Sequence, residues 1–345
     1  MYNAFDPNKS ARNYNCRARE SVVNGVRQLS LDNRFLHISV LPGKGTDIVE
    51  FLYKPLDLDV MYHSWTGVRD PARRMPTSPD PAGVFFDTYE GGWQELFPSI
   101  GTATTYRGAK LPLHGEVHSL NWDYAIEKDT EEEVTVKFWV RTIRTPYLLE
   151  KWLTIKADEP ALFIRERATN EGRVPLQFSW GHHPALGPAF LDGSCTIELP
   201  GDRLMLHPYP GTRLNHDGDY RWPNAVLDDG TPIDLSKVLP PEKKCTMEFG
   251  VAGLQEGSVE IRNHGYGLAF GLKWDVKQLP CLWFWEPDCG GEDYPSYGRD
   301  YCLGVEPWTN LPEPLSSLAE RNAGVPIAPG EARELELIAY CRTFQ

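Results

Sequence analysis

The chain reads as a succession of short segments in which apolar and polar residues alternate. Residues 134–143, VTVKFWVRTI, keep a period of two throughout, the spacing at which a strand turns one face to a core and the other to water. YLLEKWLTI (147–155) and ALFIRERAT (161–169) repeat it, bounded by turn formers such as Asp158-Glu159-Pro160 and Asn170-Glu171-Gly172. Residues 34–41 and 46–53 flank Pro42-Gly43-Lys44-Gly45, a hairpin signal. PLQFSWGHH (175–183) reads as one further strand, and SVEIRN, GLAFGLKW and CLWFWEP continue the series. A helical period is confined to 314–322, PLSSLAERN, stopped by Gly324. Two stretches read as long loops, 66–83 (rich in Pro and Arg) and 200–244 (rich in Pro, Gly and Asp); loops of this length go with function or with wrapping of the scaffold. Without βαβ alternation, the expected architecture is all-β, a large antiparallel β-sandwich. It is expected as one domain over 1–345 with an N-terminal extension over about 1–28.

Composition agrees with that reading. The 345 residues include 30 Gly and 29 Pro, above the ordinary share of roughly 12% for the two together. A formal charge of −13 argues against nucleic acid or an anionic membrane as partner, because both need a basic face. No apolar run reaches the roughly 18 residues of a membrane span, and the opening MYNAFDPNKSARNYNCRARE has no apolar core of a secretory signal. The seven cysteines are odd in number and form no CxxC pair. A reduced, cytoplasmic protein is therefore expected, with neither zinc ribbon nor disulfide framework.

Three segments carry candidate chemistry. In an extended 175–183, Gln177, Ser179, Gly181 and His183 share one face, while Phe178, Trp180 and His182 share the other. The first face is small and polar and ends in a titratable group, as a ligand-facing strand would. In YCLGVEPWTN (301–310), Cys302, Gly304 and Glu306 likewise share a face, and Trp308 follows as a candidate sugar-stacking ring. In KLPLHGEVHSLNW (110–122), an extended chain would align His114, Glu116 and His118. The zincin order of His followed at once by Glu on a helix is missing, so no metal is expected; His114 is the pocket candidate and His118 peripheral. GxGxxG, P-loop and GxSxG signatures are absent, which argues against nucleotide cofactors and acyl-enzyme chemistry.

Taken in order, LHGEVHSLNW, WGHHPAL and LGVEPWTN resemble the aldose 1-epimerase (mutarotase) family over about residues 29–341, and GGWQELFPSIG (91–101) and LPCLWFWEPD (279–288) resemble its divergent branches. The resemblance implies a large antiparallel supersandwich that binds a monosaccharide in a concave cleft. It implies Glu306 as general base, His183 as general acid and His114 as a second imidazole at the ring oxygen. Where typical members carry an Arg, this chain has GGWQELFPSIG, so Gln94 or Glu95 is expected at the sugar; Asp288 and His182 are further candidate contacts. Such an isomerase of carbohydrate metabolism would move one proton from the anomeric hydroxyl and one to the ring oxygen, with no cofactor.

Three alternatives remain at this level. A carbohydrate-binding or sensor protein of the same fold would have no need for the His183/Glu306 pair. A hexose-6-phosphate 1-epimerase would need a cationic clamp, for which Arg69/Arg73/Arg74 and Arg17/Arg19 are available. A glycoside hydrolase would need a second acid near Glu306, for which Glu286 and Asp288 are available. The oligomeric state is left open.

Overall fold

A computed structural model describes residues 15–70, 80–206 and 211–345. Most of its strands fall into two large antiparallel sheets, as the alternating pattern requires, and the rest form two-stranded pairs. The larger has 11 strands: Arg17–Val23, Val26–Asp32, Leu36–Leu41, Asp47–Tyr53, Trp93–Leu96, Gly181–Leu186, Leu303–Trp308, Cys281–Glu286, Met247–Ala252 and Arg203–Met205 in spatial order, with Leu58–Asp59 beside Asp47–Tyr53. The smaller has eight: Cys195–Glu198, Gly257–Asn263, Leu268–Trp274, Ala332–Thr343, Ala161–Asn170, Tyr147–Lys156, Glu133–Arg141 and Asp123–Asp129. One apolar cluster fills the space between them, with Phe51 of the larger sheet edge-on to Phe270 of the smaller at 5.3 Å.

Several expectations change in detail. The expected strand 175–183 is two strands, Leu176–Phe178 and Gly181–Leu186, which pair in different sheets. The break falls where Ser179 and Trp180 hydrogen-bond outward, through Ser179 N to Pro98 O and Trp180 N to Thr309 Oγ1. The expected loop 200–244 contains the strands Arg203–Met205, Asn224–Val226 and Pro232–Asp234. Of the expected extension over 1–28, residues 1–14 lie outside the described residues, and Arg17–Val23 pairs along its length with Val26–Asp32. The expected helix is present as Leu315–Glu320.

Burial separates the sheets functionally. Tyr147–Lys156 alternates buried and half-buried residues, the mark of one wet face. Trp93–Leu96, Gly181–Leu186 and Leu303–Trp308 are buried at every position. The middle of the larger sheet is therefore covered on both faces, by the smaller sheet within and by loops and two satellite aromatic clusters without.

Directly under that double-covered region, the core contains charge. Lys151, on an inward position of the smaller sheet, places Nζ 2.7 Å from Glu95 Oε2, 3.4 Å from Glu166 Oε1 and 3.1 Å from Thr46 Oγ1. His182 Nε2 lies 3.1 Å from Glu166 Oε2, and Trp180 Nε1 donates to Glu95 Oε1. The two carboxylates favour a second proton on His182, but Trp93 Nε1 faces its Nδ1 at 3.1 Å and can only donate. His182 is therefore a neutral imidazole whose Nε2 proton points at Glu166. Burial, together with the Glu166 charge, pushes Glu95 up to about 7, so the cluster keeps one carboxylic proton and is close to neutral.

Two predictions follow from these buried contacts. Replacing the cation alone, Lys151→Met, leaves buried carboxylates unpaired and should cost about 3–5 kcal/mol in a denaturant melt. On the third strand of the larger sheet, hydrogen bonds donated to Asp32, then to Glu50, raise His37 to about 9. A raised histidine stabilises fully below its unfolded value near 6.5 and loses that contribution as pH climbs through 9. Urea midpoints should fall between pH 6.5 and 9.5, and His37→Gln should flatten the decline.

Candidate functional site

The outer face of the larger sheet gathers the candidate residues through register. Gly181 pairs with Trp308 and Ala185 with Gly304, which sets His183 opposite Glu306. Gln94 pairs with His183, Trp283 with Glu306 and Gly250 with Trp283. One row across five strands thus points outward: Gln94, His183, Glu306, Trp283 and Gly250. His183 Nε2 stands 3.5 Å from Glu306 Oε1, and the two residues are 5% and 1% exposed.

Two glycines open this row for bulky neighbours. A Cβ on Gly181 would meet Trp308 Cδ1 at 2.1 Å, and one on Gly304 would meet Glu306 Oε1 at 2.6 Å. The small-residue face inferred from sequence therefore accommodates the indole and bends the carboxylate toward His183.

His114 arrives from a loop. The segment expected to be extended is a turn in which His114 and Gly115 adopt φ of 63° and 76°, and Gly115 approaches so close that a Cβ would lie 2.4 Å from Phe97 O. That turn separates the three residues an extended chain would align. His114 Nδ1 bonds Ile100 O at 2.7 Å and its ring sits 5.5 Å from the His183 ring. Glu116 turns away to cap Ile143 N, Arg144 N and Thr145 Oγ1. His118 is buried beside Phe85.

Aromatic rings close the recess. Phe85, from the short helix Gly83–Phe86, touches His114 at 4.7 Å and His183 at 5.6 Å between centroids. Tyr89 and Trp285 each lie 5.7 Å from the His183 ring. Burial pushes His183 down to about 3, with His114 nearby adding to the effect, and His114 down to about 4. Burial, then the neighbouring Glu248, pushes Glu306 up, and Glu248 itself is raised by burial. The unliganded pair is thus a neutral imidazole facing a carboxylic acid. His183 Nδ1 and Glu306 Oε2 are buried without a hydrogen-bond partner.

The other expected contacts are placed differently. Gln94 is on the site face, but its amide donates to Gly91 O at 2.6 Å and Asp47 Oδ2 at 3.3 Å, beside buried Lys44, which pairs with Asp47 and Glu90. Glu95 and His182 face inward into the Lys151 cluster, because adjacent strand residues project to opposite faces. One atom from each of Glu95, Glu166 and His182 falls within 4.8 Å of the others, a spacing fit for a cation; the Lys151 ammonium already fills that role. Trp308 shares the site face, yet its ring stacks on Trp283 at 5.8 Å and its Nε1 donates to His182 O. It is floor, and Trp285 is the half-open indole. Asp288 is buried, and its charge adds to the burial that raises Glu286, whose side chain alternates onto the inward face with Phe284, away from Glu306. Sequence reasoning missed Phe85, Tyr89, Trp285 and Glu248. Only Trp285 and Glu248 carried a signal, the alternation in CLWFWE and MEFGVA.

Comparison with known proteins shows which solved structures share the fold. A protein described as a putative aldose 1-epimerase, from Klebsiella pneumoniae, superposes with a TM-score of 0.72 at 14% identity over 97% of this chain and 85% of that one. A galactose mutarotase-like protein from Clostridium acetobutylicum gives 0.68 at 12% identity over 96% and 99%. Another from Lactobacillus casei gives 0.60 at 19% identity over 91% and 100%. At such identities the similarity establishes the galactose mutarotase-like fold. No curated protein matches the sequence. Residues 23–339 match the model of a domain of unknown function, DUF4432, and the chain belongs to that family.

Proposed function

We propose that the protein is a mutarotase that interconverts the α and β anomers of a neutral free monosaccharide. The observation that carries the reading is the His183–Glu306 pair, 3.5 Å apart, buried and aimed outward from neighbouring strands. The similarity in fold to proteins named as epimerases and mutarotase-like supports it.

The chemistry needs one mobile proton and two sites for it. The pair holds one, resting on Glu306 because burial disfavours the imidazolium–carboxylate form. Sugar hydroxyls entering the recess supply the polar partners that buried Glu306 Oε2 and His183 Nδ1 lack, which lets the proton pass to His183. Glu306 then takes the O1 proton while His183 delivers one to the ring oxygen O5. The ring opens, the C1–C2 bond rotates, and the reverse transfers close it to the other anomer. His114 donates Nδ1–H to Ile100 O, so its Nε2 is a fixed acceptor for a sugar hydroxyl. Glu248, on the same face as Glu306, is the further acid at the sugar, in the place expected of Asp288.

Two of the arginines available for a phosphate clamp are placed far from the site. Arg17 and Arg19 lie on the edge strand, five strands from Gly181–Leu186, or roughly 24 Å at 4.8 Å per strand. Arg69 donates to Thr66 O, and Arg73 and Arg74 lie outside the described residues.

Polarimetry on freshly dissolved α-sugars tests the reading. Glu306→Gln and His183→Ala should each slow interconversion by about 10²–10⁴-fold with unchanged melting profiles; near-wild-type rates in either variant would refute the assignment. The pH profile should be flat across 6.5, because His183 titrates far below that value, and should fall on the alkaline side as the pair loses its proton. An acid limb near 6.5 would contradict it.

A further inference from the structure

We propose that the hydroxyl of Tyr89 is a substrate contact, donating a hydrogen bond to an oxygen of the bound monosaccharide from the wall of the recess; the inference rests on the sugar-site reading above. Tyr89 follows the helix Gly83–Phe86, and its carbonyl accepts from Ser64 Oγ at 2.5 Å. Its ring stacks on Phe85 at 5.1 Å and stands edge-on to His183 at 5.7 Å and Trp285 at 6.1 Å. The residue is 7% exposed, and its hydroxyl has no hydrogen-bond partner.

That hydroxyl is an exception in this protein. Tyr62, whose ring is 6.3 Å away, donates to Asp300 Oδ1 at 2.6 Å. Tyr147 donates to Gln177 O at 3.1 Å and Tyr301 to Leu239 O at 2.9 Å. Among the described residues, the tyrosine hydroxyl buried without a partner is that of Tyr89 alone. A buried hydroxyl left unbonded destabilises the fold, so such groups are ordinarily satisfied.

Two more unpartnered buried atoms, His183 Nδ1 and Glu306 Oε2, belong to the same recess. With the Tyr89 hydroxyl they come from three separate segments of chain. What would satisfy all three is a small molecule bearing several hydroxyls, which can accept from one group and donate to another. Burial and the surrounding acids hold the phenol protonated, well above its usual value of 10, so Tyr89 acts as a donor and takes no part in the proton transfers. A contact of that kind holds ground state and transition state alike, and its loss appears in KM rather than kcat.

Tyr89→Phe removes one oxygen and keeps the ring. Wild type and variant are compared by polarimetry and calorimetry with D-glucose, D-galactose, D-xylose and L-arabinose, alongside thermal melts without sugar. For the sugar the wild type turns over, KM and Kd should rise about 3- to 10-fold, with kcat within twofold and a melting temperature no lower than wild type. An unchanged KM in the variant overturns the proposal while leaving the mutarotase reading in place. A lowered melting temperature with unchanged KM also overturns it, by giving the hydroxyl a structural role. A wild type that neither binds nor interconverts any of the four sugars overturns the sugar reading, and this inference with it.

Discussion

Lys151 carries its charge from the smaller sheet into the space between the sheets and there meets Glu95 of the larger one. The rest of the site depends on that contact. Glu95 and His182 are the inward neighbours of Gln94 and His183, so clamping one face of these two strands fixes what the other face presents. His182 is held at both ring nitrogens, by Trp93 and Glu166, and its carbonyl accepts from Trp308 Nε1. The strand that aims His183 outward is therefore pinned by side chain and backbone within one residue of it, and a rigid support of this kind is what a proton-transfer geometry requires.

Burial has opposite consequences on the two faces. Beneath the sheet, an ammonium accompanies the carboxylates, and the cluster approaches neutrality with charges retained. Above it, no such cation accompanies Glu306 and Glu248 among the described residues, and burial is answered by protonation instead. The outer pair is left with one proton, which rests on Glu306 because burial disfavours both the carboxylate and the imidazolium. A buried site that carries no fixed charge but can create one on either side suits a reaction in which protons change places and nothing else is transferred.

How far the sequence foretold this follows from where period two applies. His183 and Glu306 were legible because each follows a glycine by two residues on a strand face that differs in bulk from the apolar one. The same reasoning could not orient Trp93-Gln94-Glu95-Leu96, where two polar residues sit side by side; only the pairing of Ile48 with Trp93 and of Gln94 with His183 shows which looks inward. The extended reading of 110–122 failed at His114, whose left-handed backbone comes from a turn packed on Phe97. Phe85 and Tyr89 left no trace because they reach the site from a covering segment, through contacts distant in sequence. Trp308, chosen for its neighbourhood to Glu306, was on the correct face and still unavailable, because Trp283 across the strand pair had taken its ring.

The electrostatics also bear on which sugar such a site could take. A phosphate or sulfonate would bring fixed negative charge against Glu306 and Glu248, groups already too crowded by burial to ionise freely. The nearest buried cations cannot turn to meet it: Lys44 is held between Asp47 and Glu90, and Lys151 between Glu95 and Glu166 on the far side of the sheet. Drawing either away would leave buried carboxylate charge unpaired, a loss larger than a single exposed ion pair could offset. On the proposed reading, then, neutrality of the substrate is set less by the −13 charge of the whole chain than by the prior engagement of Lys44 and Lys151.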